Sequence, residues 1–280
     1  MKTQKILSIA ISCLFILGIT EYGFSQEVEK DSIPNGDDIE KLAKASQNPL
    51  ANIMSFPFQF NSSFKIGPYD RTANVLNFQP VIPFANGRII TRSIIPVAWI
   101  PDITNESGMY SSGLTDIQVM AGYSPKTKGY TFGVGPVLGF PTGGVKRGSQ
   151  KWSAGPALIF MVNPGPWVLG FLASNLWSYA GDPDRSEVNA MTLMPFVNYN
   201  FGKTGWYLSS VPIITADWEA TSGNKWVVPL GGTIGKLKRV GKVGLPINIQ
   251  AGAFYNVVSP EIGPKWSTRV QVQILLPKHR

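Results

Sequence analysis

Residues 167–178 read WVLGFLASNLWS, a stretch with tryptophan near each of its ends. Trp167 and Trp177 are ten residues apart, and an even spacing in an extended strand puts both indole rings on one face. Ten steps of about 3.3 Å, tilted by about 40°, project to roughly 25 Å, which is the height of the apolar band between the aromatic girdles of an outer-membrane barrel. The stretch therefore predicts a strand that crosses an outer membrane with a tryptophan at each interface.

The other tryptophans repeat this arrangement. Trp206 and Trp218 bracket a second predicted strand and share one face of it. Indole rings favour the membrane interface because they combine an apolar body with one hydrogen-bond donor. The predicted membrane girdle consists of Trp99, Trp152, Trp167, Trp177, Trp206, Trp218, Trp226 and Trp266.

From Ile53 onward, apolar and polar side chains alternate with a period of two, and turn residues interrupt the alternation at regular intervals. A soluble sandwich also alternates, so this pattern alone leaves the environment open. The predicted connections, however, are alternately long and short, as in outer-membrane barrels with short periplasmic turns and longer extracellular loops. The predicted strands are 53–61, 74–83, 88–100, 114–123, 130–140, 152–162, 167–178, 188–200, 206–218, 226–237, 246–257 and 266–276.

Composition favours a lipid-facing surface. Charged residues make up 15% of the chain, whereas a soluble domain carries about 25%. In lipid every backbone polar group must be paired internally, and a closed sheet has no unpaired edge. We therefore predict an all-β fold over residues 51–280, a closed antiparallel transmembrane β-barrel of about 12 strands. Its main difficulty is a set of in-strand prolines, each of which removes a ladder bond unless a bulge absorbs it. They are Pro57, Pro80, Pro96, Pro136, Pro156, Pro195, Pro212 and Pro229.

The N-terminal residues 1–25 have the layout of a secretory signal peptide. Lys2 and Lys5 precede an apolar run over residues 6–20, and small residues at 23 and 25 suit cleavage before Gln26. The alternative, a membrane anchor, would need about 20 apolar residues. The only cysteine, Cys13, lies in this segment, so the mature chain can form no disulfide. We predict export to the outer membrane of a Gram-negative bacterium.

Residues 26–50 form a predicted periplasmic segment. Residues 37–46 read DDIEKLAKAS and place Ile39, Leu42 and Ala43 at helical spacing, and Asn48-Pro49 ends the helix. This short N-terminal helix could plug or cap the barrel opening. A simple lead-in to the first strand is the favoured interpretation.

A polar set falls on the predicted inward face of the strands. One interpretation is a lining that binds or filters a solute. The other, favoured on the size of a 12-stranded barrel, is a packed polar interior in which Arg92 and Arg269 pair with Asp116 and Asp217. The lumen candidates are Arg92, Asp116, Gln118, Asn198, Asn200, Asp217, Asn248, Gln250, Arg269, Gln271 and Gln273.

Several stretches resemble, in the same order, the outer-membrane family named for the meta-pathway of phenol degradation, whose members are commonly labelled transporters or mislabelled neuromedin U. The resemblance covers nearly all of the mature chain and implies a barrel without catalytic residues that transports hydrophobic small molecules. The stretches are NPLANIMSFPFQFN (48–61), LNFQPVIPF (76–84), ITRSIIPV (90–97), GVGPVLGFPT (133–142), KWSAGPA (151–157), PFVNYNF (195–201), GWYL (205–208) and ITADW (214–218).

Residues suited to catalysis are scarce. The only histidine, His279, lies beyond the last predicted strand, so no Ser/His pair can form in the barrel wall, and we expect no enzyme activity. Asp182, Asp184 and Glu187 could bind Ca²⁺, but a solvated loop is favoured, and the glycine-rich run 133–139 lacks the lysine and helix of a phosphate loop. We predict no metal site and no cofactor.

The chain has a net charge of +8, which we interpret as favouring attraction to acidic lipid headgroups. Binding to nucleic acid is not indicated, because the basic residues form no stripe with interleaved aromatics. The expected partners are therefore outer-membrane lipids, the barrel assembly machinery and an unidentified small-molecule solute. Nucleic acid is not expected.

Overall fold

A computed structural model describes residues 36–276, apart from 105, 107 and 126. The predicted signal peptide and His279 lie outside these residues. Helix α1 spans Gly36–Gln47, as the sequence predicts, and no helix in the described part is long and apolar enough to cross a bilayer. The strand segments are β1 Met54–Ile66, β2 Arg71–Phe78, β3 Val81–Phe84, β4 Ile89–Pro101, β5 Tyr110–Leu114, β6 Ile117–Tyr123, β7 Tyr130–Phe140, β8 Lys151–Val162, β9 Trp167–Gly181, β10 Asn189–Asn200, β11 Trp206–Ser210, β12 Ile214–Asp217, β13 Trp226–Val240, β14 Leu245–Val258 and β15 Trp266–Leu276.

These segments form one closed antiparallel barrel. The sheet contains 15 strand segments. Three strands of the barrel are each interrupted and consist of two segments (β2 with β3, β5 with β6, β11 with β12), so the barrel has 12 strands. The ring closes because β1 pairs with β15 and β9 pairs with β10. The predicted 12-strand barrel is therefore confirmed.

Proline explains two of the three interrupted strands. β2 and β3 are separated by Gln79 and Pro80, and β11 and β12 are separated by residues 211–213, which include Pro212. Pro229 lies at a register shift between β13 and β14. Breaks and bulges thus absorb part of the predicted cost of in-strand proline, whereas Pro136 and Pro156 face each other across the unbroken β7–β8 pair.

Strand boundaries differ most at the connection predicted for residues 62–73. β1 continues to Ile66 and β2 begins at Arg71, so the connection shrinks to residues 67–70. The N-terminal helix lies at the end of the barrel that carries the turns 85–88, 124–129, 163–166, 201–205 and 241–244, here called the plug end. The opposite, loop end carries 67–70, 102–109, 141–150, 182–188, 218–225 and 259–265.

The two faces of the wall follow the predicted alternation. On β15, Val270 and Val272 are exposed on the outside, whereas Arg269 and Gln273 are buried inside. Each of the eight tryptophans has an exposed side chain, between 36% and 47%. They lie on the outer surface at or near strand ends, which is where a membrane girdle would need them.

Candidate functional site

Helix α1 fills the barrel mouth at the plug end. Ala43 is 1% exposed and packs in one cluster with Leu237 of β13 and Leu275 of β15, and Ile39 and Leu42 pack against the same cluster. Both leucines lie on the inner face of the wall. The favoured interpretation of this helix as a simple lead-in is therefore wrong, because its apolar side chains pack against the inner face of the barrel.

Hydrogen bonds hold helix α1, here called the plug, at its C-terminal end. Gln47 exchanges amide hydrogen bonds with Asn200, at 2.8 Å and 3.2 Å. Asn248 donates to the Ser46 hydroxyl at 3.3 Å, and Gln273 donates to the Ser46 carbonyl at 3.3 Å. Three predicted lumen residues, Asn200, Asn248 and Gln273, thus anchor the helix.

Tyr207 supports this anchor, although the sequence analysis did not select it. Its side chain is 1% exposed, and its hydroxyl donates to Asn248 at 2.8 Å while Asn248 donates to Gln273 at 3.1 Å. The ring lies directly over Gly235 of β13, where no side chain would fit. The signal for Tyr207 was its inward parity opposite a glycine on the neighbouring strand.

A cavity of about 150 Å³ lies inside the barrel against the C-terminal end of the plug. A space of this size holds several water molecules or a small solute, since one water needs about 10–15 Å³ on this measure. Residues that the sequence analysis missed, such as Gln59, Gln79 and Phe196, also line it. The predicted lumen residues in its lining are Arg92, Asn198, Asn248, Gln250, Arg269, Gln271 and Gln273.

Two arginines dominate the charge of this cavity. Arg92 donates to the side-chain oxygen of Gln79. Arg269 donates to Asn61 at 3.2 Å and to the Val211 carbonyl at 2.9 Å, next to the break at Pro212, and its guanidinium lies 4.7 Å from the centre of the Phe254 ring. All of these partners are neutral.

The predicted ion pairs of Arg92 and Arg269 with Asp116 and Asp217 are absent within the described residues, where the salt bridges are Lys44–Glu40 and Lys151–Glu187. Asp116 instead accepts hydrogen bonds from the Gly143 amide and from the amide and hydroxyl of Ser149, which fixes the loop 141–150. Asp217 accepts from the Glu219 amide at 3.1 Å and lines neither cavity.

A second cavity, of about 470 Å³, lies under the loop end. Asp116 and Gln118 line it together with Lys146, Arg147 and Arg185. Arg147 is held by the Ser111 hydroxyl at 2.7 Å, and Arg185 by the Gly148 carbonyl at 2.9 Å. Ten of the eleven predicted lumen residues therefore divide among the hydrogen bonds that anchor the helix, the cavity that contains the two arginines and the cavity under the loop end, and Asp217 belongs to none of these.

The acidic loop 182–188 does not assemble a metal site in the described part of the chain. Asp182 accepts a hydrogen bond from the Asp184 amide at 2.9 Å. Glu187 binds the Lys151 ammonium at 2.8 Å and the Ser178 hydroxyl. Its carboxylate is thus committed to the wall beside the loop, and the hydrogen bond from Lys151 holds the pKa of Glu187 below its ordinary value of 4.5, with Ser178 adding to the effect.

This contact predicts a pH-dependent contribution to stability. A carboxyl whose pKa is lowered in the folded state stabilises the protein above its unfolded pKa and loses that effect as the pH falls through the folded pKa. We expect Glu187→Gln to lower the melting temperature in detergent slightly at neutral pH, and the difference from wild type to vanish in acid, below the range of an ordinary glutamate. Glu219→Gln, at an exposed position in another loop, is the control. A difference that persists unchanged in strong acid would show that the Glu187 charge is not its cause.

No family model matches the chain, and no curated protein matches it. Among solved structures, the chain is similar to the COG4313 outer membrane channel from Pseudomonas putida F1, at 16% identity and a TM-score of 0.58, over 80% of this chain and 94% of that one. It is also similar to the NanC porin, at 11% identity and a TM-score of 0.52, over 81% of this chain and 100% of that one. The fold is an outer-membrane barrel. At these identities the likeness concerns the fold alone.

Proposed function

We propose that this protein is an outer-membrane channel that carries small molecules through the lumen beside its plug. The observation that carries the proposal is the pair of inner cavities, one under the loop end and one against the plug, in a closed barrel with a polar lining and an apolar outer surface. The two similar structures are named as a channel and a porin, which favours transport over catalysis. The loop end would then face outward and the plug end would face the periplasm.

The solute class is proposed to include small hydrophobic or aromatic molecules. The sequence resemblance to the phenol meta-pathway family motivates this, and the lining of the inner cavity supports it, since Leu172, Met194 and Phe196 add an apolar surface to the polar one. A solute with an apolar body and one polar group would match both parts of such a lining.

Localisation follows from the same proposal. A signal peptide over residues 1–25 would export the chain, and the barrel assembly machinery would insert it among outer-membrane lipids. The eight outer tryptophans would lie at the two interfaces, where each indole meets both hydrocarbon and water.

Planar-bilayer recording and liposome swelling test the channel. We expect the purified full-length protein to give small, discrete conductance steps, because α1 narrows the lumen. We also expect vesicles that contain it to swell faster in phenol or small sugars than vesicles containing heat-denatured protein. A silent bilayer together with unchanged swelling would favour the second candidate, a non-transporting structural barrel, to which the hydrogen-bonded plug is also suited.

A further inference from the structure

The inner cavity holds two guanidinium groups and no carboxylate from the described part of the chain. Arg269, on β15, is 9% exposed, and Arg92, on β4 three strands away, is partly buried in the same cavity lining. Both positive side chains thus face one cavity of about 150 Å³. Burying two like charges without a counter-ion is unfavourable, because each charge loses hydration and no opposite charge compensates for that loss.

Neutral partners satisfy only part of the hydrogen-bonding capacity of these arginines. A guanidinium has five N–H donors. Arg92 uses one nitrogen, on Gln79, and Arg269 uses two, on Asn61 and Val211. None of their remaining nitrogens is buried without a partner, so these nitrogens are accessible, and both side chains line the cavity. Accessible guanidinium donors of this kind suit a planar oxyanion, which can accept two parallel hydrogen bonds from one guanidinium.

The rest of the cavity indicates what such an anion would carry. Leu172, Met194 and Phe196 form an apolar surface in the same lining. Asn198 is 2% exposed, and its side-chain oxygen has no hydrogen-bond partner although it is fully buried.

We propose that this cavity is a binding site for a small organic carboxylate, held by Arg92 and Arg269 and packed with its apolar body against Leu172 and Phe196. The proposal rests on the proposed channel function for its biological meaning, and it names the substrate class of that channel. The bound carboxylate would supply the counter-charge that the described lining of this cavity lacks.

Equilibrium dialysis of the full-length protein in neutral detergent tests the site without requiring conduction. The probes are benzoate and its uncharged analogue benzamide, which share size and ring. We expect wild type to bind benzoate at least about tenfold more tightly than benzamide, since a charge-assisted hydrogen bond contributes about a factor of ten or more in affinity. Arg92→Gln with Arg269→Gln should abolish this preference, and Arg92→Lys with Arg269→Lys should restore part of it.

Arg88→Gln with Lys128→Gln removes the same charge from exposed turns at the plug end and should leave benzoate binding unchanged. Equal binding of benzoate and benzamide by wild type, or undiminished benzoate preference in the glutamine pair, would overturn the proposal. If the glutamine pair fails to fold, each single glutamine variant should weaken benzoate binding by about tenfold. Benzoate binding with a silent bilayer would sustain the site and reject the channel, whereas conduction without benzoate preference would do the reverse.

Discussion

The Ala43→Asp variant should conduct several-fold more current than the wild type in planar bilayers. Ala43 is 1% exposed, between Leu237 and Leu275, so an aspartate there would place a charge in an apolar cluster. Burying an unpaired charge costs several kcal/mol, whereas each hydrogen bond that anchors the plug contributes only about 1 kcal/mol. The cheapest response is for α1 to leave the mouth while the barrel, closed by its own ladder, stays intact.

Lys41→Asp is the control for this experiment, because Lys41 lies on the exposed side of the same helix. Its conductance should match that of the wild type, and both variants should keep the heat-modifiable migration of a folded barrel. If A43D folds and conducts like the wild type, α1 does not limit the current.

The barrel could be predicted from the sequence because its signals are local. Alternation with a period of two assigns each side chain to one face, and the spacing of Trp167 and Trp177 distinguishes a membrane from a soluble core. The plug could not be predicted in the same way. Helical spacing of Ile39, Leu42 and Ala43 shows that α1 has an apolar stripe, but the surface that covers the stripe comes from Leu237 and Leu275, about 200 residues away in the chain.

The predicted ion pairs between the two arginines and Asp116 and Asp217 were wrong for a related reason. Parity shows that Arg92 and Asp116 share the inner face, but not their separation along the barrel axis. Arg92 pairs with Met120, four residues from Asp116, which is about 13 Å along the strand. Asp217 lies on β12, three strands from Arg269 on β15, or about 14 Å around the wall. Only the register shows that these arginines lack carboxylate partners among the described residues.

Gly235→Ala should clearly destabilise this barrel. A Cβ at Gly235 would lie 2.2 Å from the Tyr207 ring, so the ring, which is 1% exposed and lines the inner cavity, would have to shift. Overpacking of this kind costs about 1–3 kcal/mol, and displacing the ring would also break its hydrogen bond to Asn248. We expect the folded band on SDS gels to be lost at a clearly lower temperature than for wild type, and the conductance to rise because Asn248 anchors the plug.

Gly122→Ala provides the matched control, since Gly122 is also an inward-facing strand glycine but a Cβ there meets nothing within 4 Å. It should be neutral or slightly stabilising, because alanine restricts the unfolded chain more than glycine does. Tyr207→Ala tests the assigned cause: once the ring is gone, G235A should cost nothing further, so the two changes would be strongly non-additive. If G235A lowered the stability of the barrel equally with and without the Tyr207 ring, the strain would lie in the backbone of β13 instead. Non-additivity would show that a single ring-on-glycine contact couples the stability of the wall to the seating of the plug, through the chain from Tyr207 to Asn248 to Ser46.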